Sequence, residues 1–193
     1  MAEIASARSI CVSHAHPYPR KSHTNRTLAD AIRALPGVDL RSLYERYPDF
    51  DVDVAAEQHA LGAARLVVWM HPVYWYSVPG LLKHWFDKVL AFGWAYGNGS
   101  AALAGKHCLW VPSTGGDEET YTPSGMHAHP FVDYTPVIEQ TARFCGMHWE
   151  TPHVIHGADR IDDAQLAQHV ATLTARLASW REPATAATTE TAS

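Results

Sequence analysis

Five short apolar runs alternate along the chain with longer segments of helical period. The first, Arg8 to Ala15, reads as a strand running into the loop His16-Pro17-Tyr18-Pro19. Ser22 or Thr24 then caps a helix to about Leu35, which Pro36-Gly37 stops. Val38 to Tyr44 is the second strand, and a short helix from Asp53 to Gly62 follows the turn Tyr47-Pro48-Asp49. Arg65 to Met70, the third strand, is too continuously apolar for a half-exposed sheet. A helix from Leu81 to Leu90, a fourth strand from Gly105 to Val111 and a long polar loop come next. A helix from about Thr135 to Cys145, a fifth strand from Trp149 to Ile155 and a helix from Asp162 to Trp180 complete the pattern.

Strands that alternate with helices pair in parallel through right-handed crossovers and place helices on both faces. The predicted fold is therefore α/β: a doubly wound five-stranded parallel sheet in three α/β/α layers, forming a single domain over 1–181. Residues 182–193 carry almost no large apolar side chain and are expected to be a disordered tail. In open sheets of this kind, ligands bind beyond the carboxyl ends of the strands. Three loops become site candidates on that rule: His16 to Asn25, Val73 to Ser77, and Ser113 to His127.

Composition narrows the function classes. The net charge is -5 with no Lys/Arg run, which argues against a general nucleic-acid binder. No signal-like apolar segment opens the chain, and no run reaches the roughly 18 apolar residues of a membrane span, so a soluble, cytoplasmic protein is expected. Cys11, Cys108 and Cys145 are odd in number and widely spaced; they read as buried reduced thiols, a catalytic cysteine being the alternative. The 13 histidines include no HExxH spacing and no Cys/His quartet, so no metal site is expected.

Each loop has a chemistry of its own. Ser22, His23, Thr24 and Asn25 sit at a helix start, where free N–H groups, hydroxyls and the positive end of the helix dipole suit a phosphate; taken alone, an ordinary N-cap is the plainer reading, and the phosphate needs the other loops to agree. Val73, Tyr74, Trp75, Tyr76 and Ser77 lie between Pro72 and Pro79, a rigid aromatic platform for a flat ring or else a patch of core or interface aromatics. Ser113, Thr114, Gly115 and Gly116 follow a strand directly, and the two glycines let backbone N–H groups approach a ligand. Tyr121 and His127 then offer a phenol and an imidazole able to stabilise charge on such a ring, or are unrelated surface groups. No GxGxxG follows the first strand, which removes the dinucleotide fingerprint.

The strings AHPYPRKSHTN, LRSLYERYPDFDVDVAAEQHAL, HPVYWYSVPGLLKHWFDKV, GWAYGNGSAALAGKH and STGG, in this order, resemble the flavodoxin-like NAD(P)H:quinone oxidoreductases over Arg8 to Trp180. Within them the likeness is to the ancillary oxidoreductase of the glutathione-regulated potassium-efflux system. The resemblance implies a flavodoxin-like sheet in the order 2-1-3-4-5. It also implies FMN rather than FAD, since the longer carboxyl-terminal region that accompanies FAD in mammalian relatives is missing. By resemblance, His16, Ser22, His23, Thr24 and Asn25 hold the phosphate and ribityl end. Val73, Tyr74, Trp75 and Tyr76 hold the ring edge, and Ser113, Thr114, Gly115 and Gly116 its opposite side. Tyr121 and His127 stand at the spacing of a catalytic tyrosine and histidine, a pair matching the quinone reductases more closely than the potassium-efflux proteins. The implied activity is two-electron, ping-pong transfer from NAD(P)H to a quinone in a homodimer, where Trp75, Trp94 and Tyr96 would gain a second neighbour. Alternatives are a regulatory subunit docked on a potassium-efflux antiporter, and a one-electron carrier, which the lack of a strongly acidic face disfavours.

Overall fold

All five residues of β1 (Ile10–His14) and all seven of β3 (Leu66–Pro72) are buried, because each strand has a neighbour on both edges and a helical layer on both faces. The structure, a computed structural model, describes residues 9–180 apart from 98, 100 and 101. Part of the predicted domain's ends and the whole of its expected tail, 182–193, lie outside the described residues.

The sheet is parallel throughout, in the order β2-β1-β3-β4-β5. Its other strands are β2 (Val38–Ser42), β4 (His107–Ser113) and β5 (His148–Trp149). Alternate residues point to opposite faces and feed two cores. Cys11, Val67, Trp69 and Trp110 face α3 (Val54–Ala63), α4 (Gly80–Val89) and α5 (Thr135–Phe144). Ile10, Val12, Val68 and Leu109 face α1 (His23–Arg33) and α6 (Asp163–Ala178). Capping fixes where helices begin: Asp53 accepts the N–H of Ala56, and Asp162 with Gln165 forms a capping box at α6.

The structure departs from the sequence expectations at two strands. β2 stops at Ser42, and Leu43–Arg46 winds into the single turn α2 instead of extending the strand to Tyr44. The fifth strand, expected over Trp149 to Ile155, pairs regularly only at His148 and Trp149. Beyond it, Glu150, His153 and Ile155 donate to the carbonyls of Cys108, Trp110 and Pro112. Three residues thus oppose two between the first pair of bonds, and Pro152, without an N–H, sits at the extra position.

A buried carboxylate locks the α3 side of the sheet. Glu57 is fully buried and accepts from Arg41 Nε and Nη2, from Tyr47 OH at 2.6 Å and from Trp85 Nε1 at 3.1 Å. It thereby ties β2, the end of α2, α3 and α4 together. All three cysteines are free and buried, and burial pushes Cys11 up to about 12, Cys145 to about 11 and Cys108 well above the ordinary thiol range. None offers a thiolate at neutral pH. Among the described residues no helix is long and apolar enough to cross a membrane.

Candidate functional site

The carboxyl ends of β1, β3 and β4 are adjacent in the sheet, so the three loops predicted from sequence come together. Hydrogen bonds join them directly. Val73 N–H donates to Ser113 O at 2.7 Å, and Asn25 Nδ2 donates to Ser113 Oγ at 3.0 Å.

The first loop is built to hold the start of α1. Ser22 is the N-cap and accepts from Asn25 N–H and Asn25 Nδ2. The side chains of Thr24 and Asn25 are buried and committed, Thr24 Oγ1 donating to Ala158 O at 2.6 Å and Asn25 to the two serines. They brace the loop, while the N–H groups of Ser22, His23 and Thr24 have no partner among the described residues. The His23 ring turns toward Asp163 at the start of α6, 3.7 Å away. His16 Nδ1 accepts from Tyr18 N–H, and burial keeps its imidazole below the usual histidine range. A neutral ring accepting at Nδ1 carries its proton on Nε2, which is left as a donor.

In the second loop the hydrogen bonds exchanged by Tyr74 and Ser77 close a tight turn. Both central residues take positive φ, Trp75 at 50° and Tyr76 at 63°, as the hairpin turns that favour glycine or asparagine require. An aromatic pair in the left-handed region costs on the order of 1–2 kcal/mol per residue. The N–H groups of Val73 and Tyr74 are spent inside the protein; those of Trp75 and Tyr76 have no partner among the described residues. The Trp75 side chain is 93% exposed.

Thr114 Oγ1 donates to Gly116 O at 2.7 Å and lies 3.1 Å from His156 Nδ1, so Ser113 and Thr114 shape the third loop from inside. The N–H groups of Gly115 and Gly116 have no partner among the described residues. A Cβ on Gly116 would stand 2.7 Å from Thr120 Oγ1 and 2.9 Å from His127 Nε2, so a side chain there would push the Thr120 and His127 side chains aside. Tyr121 is buried and stacks on His127, rings 4.1 Å apart and 17° from parallel. Burial pushes the Tyr121 phenol above its usual range, so it remains protonated near neutral pH. The Tyr76 hydroxyl lies 3.4 Å from His127 Nδ1, which joins the second loop to the third.

Sequence reasoning missed three contributors. Tyr134 stacks on Tyr76 at 5.3 Å, His156 holds Thr114, and Ala158 receives the Thr24 hydroxyl. The last two lie in the loop after β5, which the rule placing ligands at strand carboxyl ends also covers. Among the described residues, no group of three or more His, Cys, Asp or Glu side chains is placed to hold a metal.

A family model described as the flavodoxin-like fold matches residues 8–177. The chain belongs to that family. Among solved structures, this flavodoxin-like chain is similar to one described as a thermophilic tryptophan halogenase from Streptomycin violaceusniger: 35% identity, 86% of this chain and 97% of that one, TM-score 0.83. It is similar to general stress protein 14 of Treponema denticola, in complex with FMN, at 30% identity over 89% and 99% of the two chains, TM-score 0.82. A candidate quinone reductase of Klebsiella pneumoniae follows at 25% identity, covering 91% and 85%, TM-score 0.76. These three names differ in activity, so activity must be argued from the site and not carried over with the fold.

Proposed function

We propose that this flavodoxin-like chain is an FMN-dependent NAD(P)H oxidoreductase that reduces quinones or similar electrophiles. One observation carries the reading. Four N–H groups without a partner among the described residues, on Trp75, Tyr76, Gly115 and Gly116, stand on two joined loops beside the buried Tyr121 and the half-buried His127 stacked on it. That donor set suits the carbonyl and nitrogen edge of a flat heteroaromatic ring, and the free N–H groups at the start of α1 suit a phosphate. The FMN held by the Treponema denticola protein and the quinone-reductase assignment of the Klebsiella pneumoniae one support it.

When bound, FMN supplies a ring that takes up two electrons from NAD(P)H and gives them to the acceptor. The chain supplies position and electrostatics. Ser22, His23 and Thr24 would present backbone donors to the phosphate, and His16, on the same loop, would offer Nε2–H. Trp75, Tyr76, Gly115 and Gly116 orient the ring edge. Tyr121 holds its proton at Oη, and His127 Nε2 lies over Gly116, so both can donate to negative charge developing on ring or acceptor. Tyr76 and Tyr134, stacked on each other, flank that corner.

Purified protein is expected to bind FMN and to oxidise NADH or NADPH only when a quinone is supplied. A protein that binds no FMN sinks the proposal. With FMN bound, Tyr121→Phe and His127→Gln should each slow reduction by NAD(P)H about tenfold or more in stopped flow. Wild-type rates in both would remove the pair from the mechanism.

A homodimer completes the proposal. Trp75, Phe92, Val137 and Phe144 are exposed apolar side chains, and Tyr96 packs on Phe144 at 5.0 Å. Sedimentation as a monomer at micromolar concentration would count against it. A cytoplasmic role beside a potassium-efflux antiporter rests on the sequence resemblance alone, and co-purification with such a membrane protein is its test.

A further inference from the structure

Two grooves flank the candidate site, and their charges differ. The one between the β4 and β5 loops is lined by Asp117, Glu118 and Glu119 against the single cation Arg160. The other lies between the β1–α1 loop and the turn after β2, lined by Tyr18, Arg20, Lys21, Tyr44, Glu45 and neighbouring prolines. In a chain of net charge -5, this second groove carries two cations against one carboxylate. Lys21 Nζ sits 5.5 Å from the centre of the Tyr18 ring, and Tyr18 is 60% exposed. Arg20 and Lys21 are also exposed and make no side-chain hydrogen bond or ion pair among the described residues.

The groove adjoins the flavin-binding loops. Its walls begin at Pro17, next to His16, and end at Lys21, next to the Ser22 cap. Tyr74, from the second loop, lies close enough to feel the groove: burial first, then the phenols of Tyr18 and Tyr44, push its hydroxyl above the usual range. The groove itself thus offers two phenol rings, Tyr18 and Tyr44, beside two cations that make no ion pair among the described residues.

We propose that this groove receives the adenosine end of the reducing dinucleotide, that Arg20 and Lys21 bind its 2′-phosphate, and that the protein prefers NADPH to NADH. The inference rests on the oxidoreductase reading for the identity of the dinucleotide. The acidic groove would repel the phosphates, leaving the basic one as their place. Tyr18 or Tyr44 offers a face for adenine, since every base has a π-face to stack. Glu45 is the opposing element, because a carboxylate suits the free ribose hydroxyl of NADH. Two cations against it tip the groove toward the phosphorylated ribose, and an arginine adds the planar fork that matches phosphate geometry.

The test uses the FMN-loaded protein and two probes that need no turnover, 2′,5′-ADP and 5′-AMP, in calorimetric titration. The first should bind at least tenfold more tightly. Arg20→Ala and Lys21→Ala should each weaken 2′,5′-ADP about tenfold while moving 5′-AMP little, as the loss of one charge-assisted contact predicts. Equal binding of the two probes by the wild type overturns the proposal whether or not the protein is an oxidoreductase. In parallel, the ratio of kcat/KM for NADPH over NADH should exceed one, fall in both variants through KM, and rise in Glu45→Gln. Variants that lose FAD or FMN affinity instead would assign the groove to the flavin and overturn it. Tight, variant-sensitive 2′,5′-ADP binding without any dinucleotide oxidation would uphold the phosphate site and refute the reductase reading.

Discussion

Trp75 combines two costs that a folding-only selection would remove. It holds a positive φ of 50° with a bulky side chain, and it leaves an indole 93% exposed. Strain of this kind persists where it serves a site. Trp75→Asn keeps the backbone N–H and suits the left-handed region, so it should stabilise the FMN-free protein by up to about 1 kcal/mol. The same variant should weaken FMN binding or dimer formation, a trade of stability for function. Thermal melting of apo protein beside FMN titration checks both halves; a lower melting temperature would remove the strain argument. At this scale the site was legible in part. Gly115, Gly116, Ser22 and the Tyr121–His127 pair stand where the loop chemistry pointed. The side chains of Thr24, Asn25, Ser113 and Thr114 carry hydroxyls and an amide that sequence reading aimed at a ligand, yet the structure commits them to bonds within the loops. Residue type tells what a group can donate; only the packing tells what it has already been given.

The elements were legible where hydrophobic period and local stop signals agreed. β1, β3, α1, α4 and α6 fall within two residues of the sequence reading, because buried strands and capped helices announce themselves. β5 did not, since its apolar run hides a proline and an extra residue that break the ladder while the segment still lines β4. Glu57 was equally invisible: an acid on a short helix reads as solvated, and its partners come from three other elements. Glu57→Gln keeps the volume but removes the carboxylate that engages Arg41 Nε and Nη2, leaving the buried guanidinium with Asp39 as its charged partner at Nη1. Removing one partner of a buried, hydrogen-bonded pair costs about 3–5 kcal/mol. Urea denaturation should show a loss of that size without a change in slope. By comparison Asp162→Ala, which opens the α6 capping box at an exposed end, should cost only about 1 kcal/mol.

Across the whole molecule, burial of imidazole makes stability depend on pH. His71, in β3, is completely buried, accepts from Trp110 Nε1 at 2.8 Å and donates from Nδ1 to Pro72 O, an arrangement that requires the neutral ring. Burial pulls it down to about 4. His14, in β1, falls to about 3, chiefly through burial and then through neighbouring His16, Arg33 and His71; His153 falls to about 4 for the same leading reason. All three titrate near 6.5 when exposed. Between that value and about 4 the unfolded chain therefore binds more protons than the folded one. Stability then rises with pH: the contribution is complete above about 6.5 and drains away as pH falls toward 4. Each of the two buried rings, His14 and His71, contributes up to about 1.4 kcal/mol per pH unit, and half-buried His153 adds less because solvent screens it, so the three together should steepen the decline well before carboxylates protonate. Urea midpoints measured from pH 7.5 to 5 should fall progressively, and a flat profile would refute the coupling. His71→Gln gives the decisive comparison. It is expected to lower stability at pH 7.5, because the Trp110 contact is disturbed, yet to flatten the slope by about one group's share. His14 and His71 lie on adjacent strands at the carboxyl end of the sheet, directly beneath the loops that gather Ser22, Tyr76 and Gly116. Acid should accordingly loosen the floor of the site as it destabilises the fold, and FMN release on lowering the pH toward 5 should track the fall in the urea midpoint.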